Sequence, residues 1–197
     1  MTTLLHFDES LFSLINQGCA TPVLDVLLPL VRNKFLWFPL YVFIACFLMV
    51  NFGKKGALAI VALILLITVT DQMSSQVLKK SIKRLRPCQL YEASKEVRVL
   101  VPCGSGYSFP SSHAANHFAF AVFIGGLLAP WFRWVKQVLI LWAGLISFAQ
   151  VYVGVHFPLD VFAGAVLGSM LGWLFLHFYA KHIGLEAQRQ TANNTAL

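Results

Sequence analysis

Apolar positions in this chain gather into five long runs, 35–52, 57–78, 114–129, 135–155 and 158–180. Each is close to the roughly 20 apolar residues that a helix needs to cross a bilayer. Such runs predict an all-α fold, a polytopic membrane helical bundle with five transmembrane helices, rather than a soluble domain with a large core. Residues 1–34 have a different texture. Asp8 is a candidate cap for a short amphipathic helix carrying Leu11, Phe12, Leu14 and Ile15, with Gly18 closing it. Thr21-Pro22 reads as a second start, a cap followed by proline at the first helical position. Asn16, Gln17, Asp25 and two prolines argue against a span. Two N-terminal interfacial helices are therefore expected, with a broken sixth span as the alternative.

Composition agrees with the run lengths. Of 197 residues, 58% are hydrophobic and only 12% charged, about half the charged fraction of an ordinary soluble domain, and the mean hydropathy is +0.71. One membrane-embedded domain over 1–184 is expected, followed by a polar, disordered tail over 185–197. No basic n-region or cleavage-like site marks a signal peptide.

The formal net charge is +7, and seven of the fifteen basic residues lie between Lys79 and Arg98. Such a cluster ordinarily meets solvent or anionic headgroups. With five spans it falls on the same side as the N-terminal segment. The other side receives Lys54, Lys55, Arg133, Lys136, Lys181 and Arg189. Basic residues number nine on the first side and six on the second. The second side's loops are short, basic and nearly free of acids, which places them in the cytoplasm and the basic cluster outside it. Cys88 and Cys103 bracket the extramembrane loop. A disulfide between them would close about 15 residues and stabilise by roughly 3 kcal/mol on the chain-entropy model. It requires an oxidising compartment such as a periplasm, and two free thiols in a cytoplasmic loop are the alternative.

Three polar passages carry candidate chemistry. In the first, Lys79 and Arg86 are seven apart, so on a continuous helix they share a face with Lys83 between them, and Pro87 then stops the helix. Ammonium and guanidinium groups on one face suit phosphate oxygens. In the second, Pro110-Ser111-Ser112-His113 puts two hydroxyls at a helix start, where free N–H groups favour an anion. His113 then stands in the first turn, placed to protonate a leaving oxygen or merely to cap. In the third, His156 precedes Pro158, the expected first position of the last helix. Asp160, four residues on, can accept the Nδ1 proton of His156 and leave Nε2 free to attack phosphorus.

In order and spacing these passages resemble the type 2 phosphatidic acid phosphatase family, whose pattern is Lys-x6-Arg-Pro, Pro-Ser-Gly-His and Ser-Arg-x5-His-x3-Asp. The sequence has Lys79-x6-Arg86-Pro87, Pro110-Ser111-Ser112-His113 and Gln150-x5-His156-x3-Asp160. The resemblance covers roughly residues 70–170. It implies that His156 becomes a phosphohistidine, that Asp160 orients it, and that His113 protonates the leaving group. Lys79, Arg86, Ser111 and the Ser112 amide would hold the phosphate. The family works without a metal or other cofactor, on membrane lipid phosphates or diphosphates when embedded in the bilayer. An outward-facing site suggests polyprenyl diphosphate, phosphatidylglycerol phosphate, phosphatidic acid or lipid A phosphate as the substrate, and the sequence does not separate these. With the loop charges and the cysteine pair, the expected location is a bacterial inner membrane with the site facing the periplasm. No nucleic acid and no obligate protein partner is inferred.

Two positions depart from the family pattern. Ser112 replaces a glycine but keeps its backbone N–H. Gln150 replaces an arginine and contributes no charge, a loss of about 1.5–3 kcal/mol for a charge-assisted bond. Lys83 or Arg84 is a candidate substitute. Two rivals follow: a phosphotransferase using the same intermediate, and a catalytically silent lipid-binding or transport protein. Asp71 and Ser75 share a helical face with Lys79, and with Asn116 and His117 they are expected around the site, or in helix–helix hydrogen bonds. A zinc site built from His113, His117, His156 and Asp160 is the metal alternative; it would leave the anion-binding residues without a partner. Gly125-Gly126 and Gly164-x3-Gly168-x3-Gly172 are expected helix contacts, and Trp37, Trp131 and Trp134 expected interfacial anchors.

Overall fold

A computed structural model describes residues 2–90 and 97–185. The expected disordered tail lies almost wholly outside the described residues. The fold is all-helical, with no strand among the described residues.

Helix α1 (Thr2–Ser13) continues through a π-helical turn, Leu14–Gly18, and α2 (Pro22–Val31) leaves it at a bend of 115°. Thr21 caps α2 as its sequence implies: its hydroxyl accepts from Leu24 N at 3.3 Å. Asp8 does not cap its own helix. α1 begins at Thr2, so Asp8 lies in its interior, buried, where its carboxylate is free to serve another element.

A 3-10 turn (Lys34–Trp37) leads into α3 (Phe38–Gln72), which folds back on itself at Gly53 (φ 54°, ψ −127°). Residues eight apart on a straight helix are about 12 Å apart, yet a Cβ on Gly56 would collide with the Leu48 carbonyl. The positive φ at the bend favours glycine. The two arms, 38–52 and 54–72, both line one cavity. A second π-helical turn (Met73–Leu78) and α4 (Lys79–Ile82) follow, and Lys83 ends the helix in the left-handed region, φ 54°.

After the short α5 (Pro87–Leu90) come α6 (Ser112–Leu128), α7 (Val135–Tyr152) and α8 (Pro158–His182). α6 is the central helix, packed on α8, α7 and α3. Its approach to α8 is set by the glycine stripe: a Cβ on Gly164, Gly168 or Gly172 would strike the backbone carbonyls of Ser111, Ala115 and Ala119. Small residues every fourth position let two helices meet backbone to backbone. Gly125 likewise admits Lys136, and Gly126 admits Leu176. Large apolar side chains such as Val50, Leu141 and Met170 face outward, as expected of helices solvated by lipid. α7, α8 and the apolar stretch Lys34–Leu90 are each long and apolar enough to cross a membrane.

The two ends of the bundle differ. At one, the Phe52 ring lies 5.0 Å from Trp131 and Tyr179 Oη donates to Lys55 O at 2.6 Å, so the Gly53 bend, the α6–α7 connection and the end of α8 meet. At the other, the starts of α6 and α8 meet the end of α4 and α1. All three polar passages lie there.

Candidate active site

The last passage is built on a turn that tolerates only glycine at its centre. Gly154 has φ 85°, and a Cβ there would crowd the Arg98 carbonyl. Cys88 N donates to Gly154 O at 3.1 Å and Leu100 N to Val153 O at 3.3 Å, clamping the turn. Cys88 is joined to Cys103 by a disulfide. Two residues after Gly154, His156 is 2% exposed and is delivered to the start of α8, where Pro158 takes the first helical position.

His156 Nε2 lies 3.2 Å from Arg86 Nη1. A guanidinium nitrogen can only donate, so Nε2 presents its lone pair and the ring proton sits on Nδ1. Nδ1 faces Asp160 Oδ2 at 3.5 Å, a charge contact longer than an ordinary N–H···O bond. Asp160 is engaged elsewhere. Its Oδ2 accepts from Phe157 N at 2.9 Å, and its Oδ1 takes Arg84 Nη1 at 2.8 Å. Burial above all pushes the His156 pKa down, to about 4, with Asp160 opposing and Arg86 and Lys79 adding to the drop. The ring is therefore neutral at physiological pH.

Arg86 does not arrive by helical spacing. The helix ends at Ile82, so Lys79, Lys83 and Arg86 share no face, and Pro87 opens α5 instead of ending a helix. Lys83 is exposed. Arg86 is positioned from outside: its Nε donates to Gly106 O at 2.8 Å and its Nη1 to Val155 O at 3.2 Å. Arg84 is not a free cation either. Its guanidinium bridges Asp160 and Asp8 (Nη2 to Oδ2, 2.6 Å) and lies 4.0 Å over the Phe157 ring.

At the start of α6, Ser111 is the N-cap, its hydroxyl accepting from Ala114 N at 3.4 Å and its N–H donating to Asp160 O at 2.8 Å. That second bond ties the His113 passage directly to the His156 passage. Ser112 follows, its hydroxyl 2.9 Å from Ser74 Oγ. His113 stands in the first turn, within electrostatic reach of His156 and Lys79, and Lys79 is within reach of Arg86 and Asp160. The two motif histidines and the motif cations thus share one locus. Gln150 closes the turn that precedes His156: its carbonyl accepts from Val155 N at 3.3 Å, and its side chain is fully buried with neither amide atom bonded.

The neighbouring positions divide. Asp71 accepts from Asn116 Nδ2 at 3.2 Å. A π-helical turn separates Asp71 from Lys79, and the Asp71 carboxylate acts electrostatically on the Lys79 ammonium. His117 Nδ1 donates to His113 O at 2.7 Å, which leaves Nε2 to accept from Tyr41 Oη at 3.3 Å. With both nitrogens occupied, His117 is a poor zinc ligand. From His113 an apolar cavity of about 560 Å³ extends between the arms of α3 and α6. Tyr41, Ile44, Leu48, Ile64, Ile67 and Phe120 wall it, and Lys34, Asp71 and Asn116 line its polar part.

The description "PAP2 superfamily" matches residues 57–183, a segment holding all three passages. The chain belongs to the PAP2 superfamily. It is 36% identical to a lipid A 4'-phosphatase of Bacteroides thetaiotaomicron over 95% of this chain and 83% of that protein. It is 31% identical to an undecaprenyl-diphosphatase of Sulfolobus acidocaldarius over 86% and 77%. Among solved structures it is similar to Aquifex aeolicus LpxE, with TM-score 0.65 and 33% identity over 85% of this chain and 93% of that one. It is also similar to a transmembrane PAP2 type phosphatidylglycerolphosphate phosphatase of Bacillus subtilis, with TM-score 0.72, 26% identity, and coverage of 92% and 89%.

Sequence reasoning about this PAP2 protein missed two charged residues at the site. Asp8 is buried and accepts from Leu159 N at 2.9 Å, capping α8 across 151 positions of sequence. A carboxylate among apolar residues was the available signal. Arg32, at the end of α2, acts electrostatically on Arg86 and His113, and its Nε is buried without a hydrogen-bond partner.

Proposed function

We propose that this protein is a metal-independent lipid phosphatase. His156 Nε2 attacks phosphorus in line, and His113 protonates the leaving oxygen. Water, deprotonated by His113, then releases phosphate from the phosphohistidine. Lys79, Arg86, Ser111 and the Ser112 amide hold the phosphoryl oxygens. Gln150 donates a neutral hydrogen bond to them, and Arg32 supplies the charge that position 150 lacks. The observation that carries this reading is the lone pair of His156, fixed toward Arg86 and within electrostatic reach of His113, which lines an apolar cavity. That cavity suits the hydrocarbon of a lipid whose headgroup sits among the cations.

The relatives alignable over most of the chain favour a lipid A phosphate as substrate, with polyprenyl diphosphate next. Five spans, α1 and α2 lying at the interface, and a site on the periplasmic side of a bacterial inner membrane complete the proposal. The Cys88–Cys103 disulfide on the site's side supports that orientation, as do Lys54, Lys55, Arg133, Lys136 and Lys181 at the opposite end.

The test is phosphate release by purified protein in detergent with chelator present. Lipid A, undecaprenyl diphosphate, phosphatidylglycerol phosphate and phosphatidic acid are compared, beside His156→Ala. Turnover on at least one lipid, lost by more than about a thousandfold in the variant, is expected. Activity surviving His156→Ala would remove the nucleophile. Inhibition by chelator would restore the metal alternative.

A further inference from the structure

We infer that Asp8, carried by the N-terminal helix, is a positioning residue for His156, acting through Arg84 and Asp160 to keep a net negative charge behind the imidazole. The inference rests on the reading of His156 as nucleophile.

Both carboxylate side chains are fully buried, and the guanidinium between them is 18% exposed. Arg84 gives one nitrogen to each: 2.8 Å to Asp160 Oδ1 and 2.6 Å to Asp8 Oδ2. Asp8 Oδ1 also accepts from Leu159 N at 2.9 Å, and Phe12 of the same helix packs on Phe157 with ring centroids 5.2 Å apart. The N-terminal helix is thereby fastened to the residues flanking Asp160.

The charge balance gives this arrangement its chemistry. As Nε2 bonds to phosphorus, the P–O bond breaks and its electron pair leaves with the oxygen, which takes a proton from His113. The ring keeps its Nδ1 proton and becomes formally positive. Around it stand Arg86, Lys79 and His113, none of which offers negative charge. Asp160 does, but Arg84 alone would neutralise it. Two carboxylates sharing one guanidinium leave a single net negative charge to stabilise the imidazolium. When water attacks, the N–P bond breaks, its pair returns to Nε2, and the ring is neutral again.

Asp8→Asn is near-isosteric and makes the cluster neutral. Its kcat is expected to fall ten- to a hundredfold with KM within about threefold, and the acid limb of kcat/KM to move to lower pH. The deciding variant is Asp8→Asn with Arg84→Gln, which restores the single negative charge while removing more contacts. A charge role makes the double variant faster than Asp8→Asn; a purely structural role makes it equal or slower, and that result overturns the inference. If Asp8→Asn does not fold, Arg84→Gln alone must move the acid limb to higher pH, and no shift or a downward shift overturns it. His156→Ala separates the two levels. Turnover persisting there defeats the nucleophile itself, whereas a dead His156→Ala with no recovery in the double variant defeats only the role of Asp8.

Discussion

Arg86 Nη1 lies 3.2 Å from His156 Nε2, and the same nitrogen donates to the carbonyl of Val155. One guanidinium thus fixes both the backbone before the histidine and the tautomer of its ring. Lysine keeps the charge but not the planar fork. Arg86→Lys is expected to lower kcat/KM by roughly ten- to a hundredfold with little change in melting temperature; an unchanged kcat/KM would show that charge alone suffices.

Folding keeps His156 neutral at a pKa of about 4, against about 6.5 in the unfolded chain. The folded value is the lower one, so the associated stability is present above about pH 6.5 and is lost as the pH falls toward about 4, on the order of 3 kcal/mol. Thermal unfolding in detergent at stepped pH should therefore show a decline across that window, shallower in His156→Asn. The activity profile should stay flat between about pH 5 and 7 as far as the nucleophile is concerned.

Gly168 rests on the Ala115 carbonyl, midway along the contact between the helices that begin at the His113 and His156 passages. Valine there must force α6 and α8 apart, at a penalty of roughly 1–3 kcal/mol. Gly168→Val should lower both stability and kcat. Wild-type turnover in that variant would mean that the site tolerates a wider helix spacing than its hydrogen bonds suggest.

Gln150 is buried with both amide atoms unpaired, and such groups are destabilising by about 1–3 kcal/mol. Gln150→Leu should raise the melting temperature while lowering kcat/KM about tenfold, and Arg32→Gln should weaken substrate binding comparably without stabilising. Retained activity in Gln150→Leu would remove that residue from the phosphate site.

The disulfide holds the segment whose Cys88 N–H grips the Gly154 turn. Replacing both cysteines by serine should destabilise by about 3 kcal/mol and reduce kcat by loosening His156. Equal melting curves with and without reductant would contradict this.

What the sequence alone determined is short-range. Apolar runs marked helical segments, Thr21-Pro22 and Pro158 two helix starts, and the four-residue glycine period a close helix contact without its partner. The approach of His156 to Asp160 was equally readable, because the helix start marked by Pro158 turns the short stretch between them back on itself. Asp8, Arg84 and Arg86 were decided only by the tertiary structure. Periodicity put Arg86 on a helix that in fact ends at Ile82, and it could not foresee Arg84 reaching Asp160 over 76 positions or Asp8 capping Leu159 over 151. A buried charge must find an opposite charge or a free N–H, but which one it finds depends on how separate helices pack, and local pattern carries no record of that.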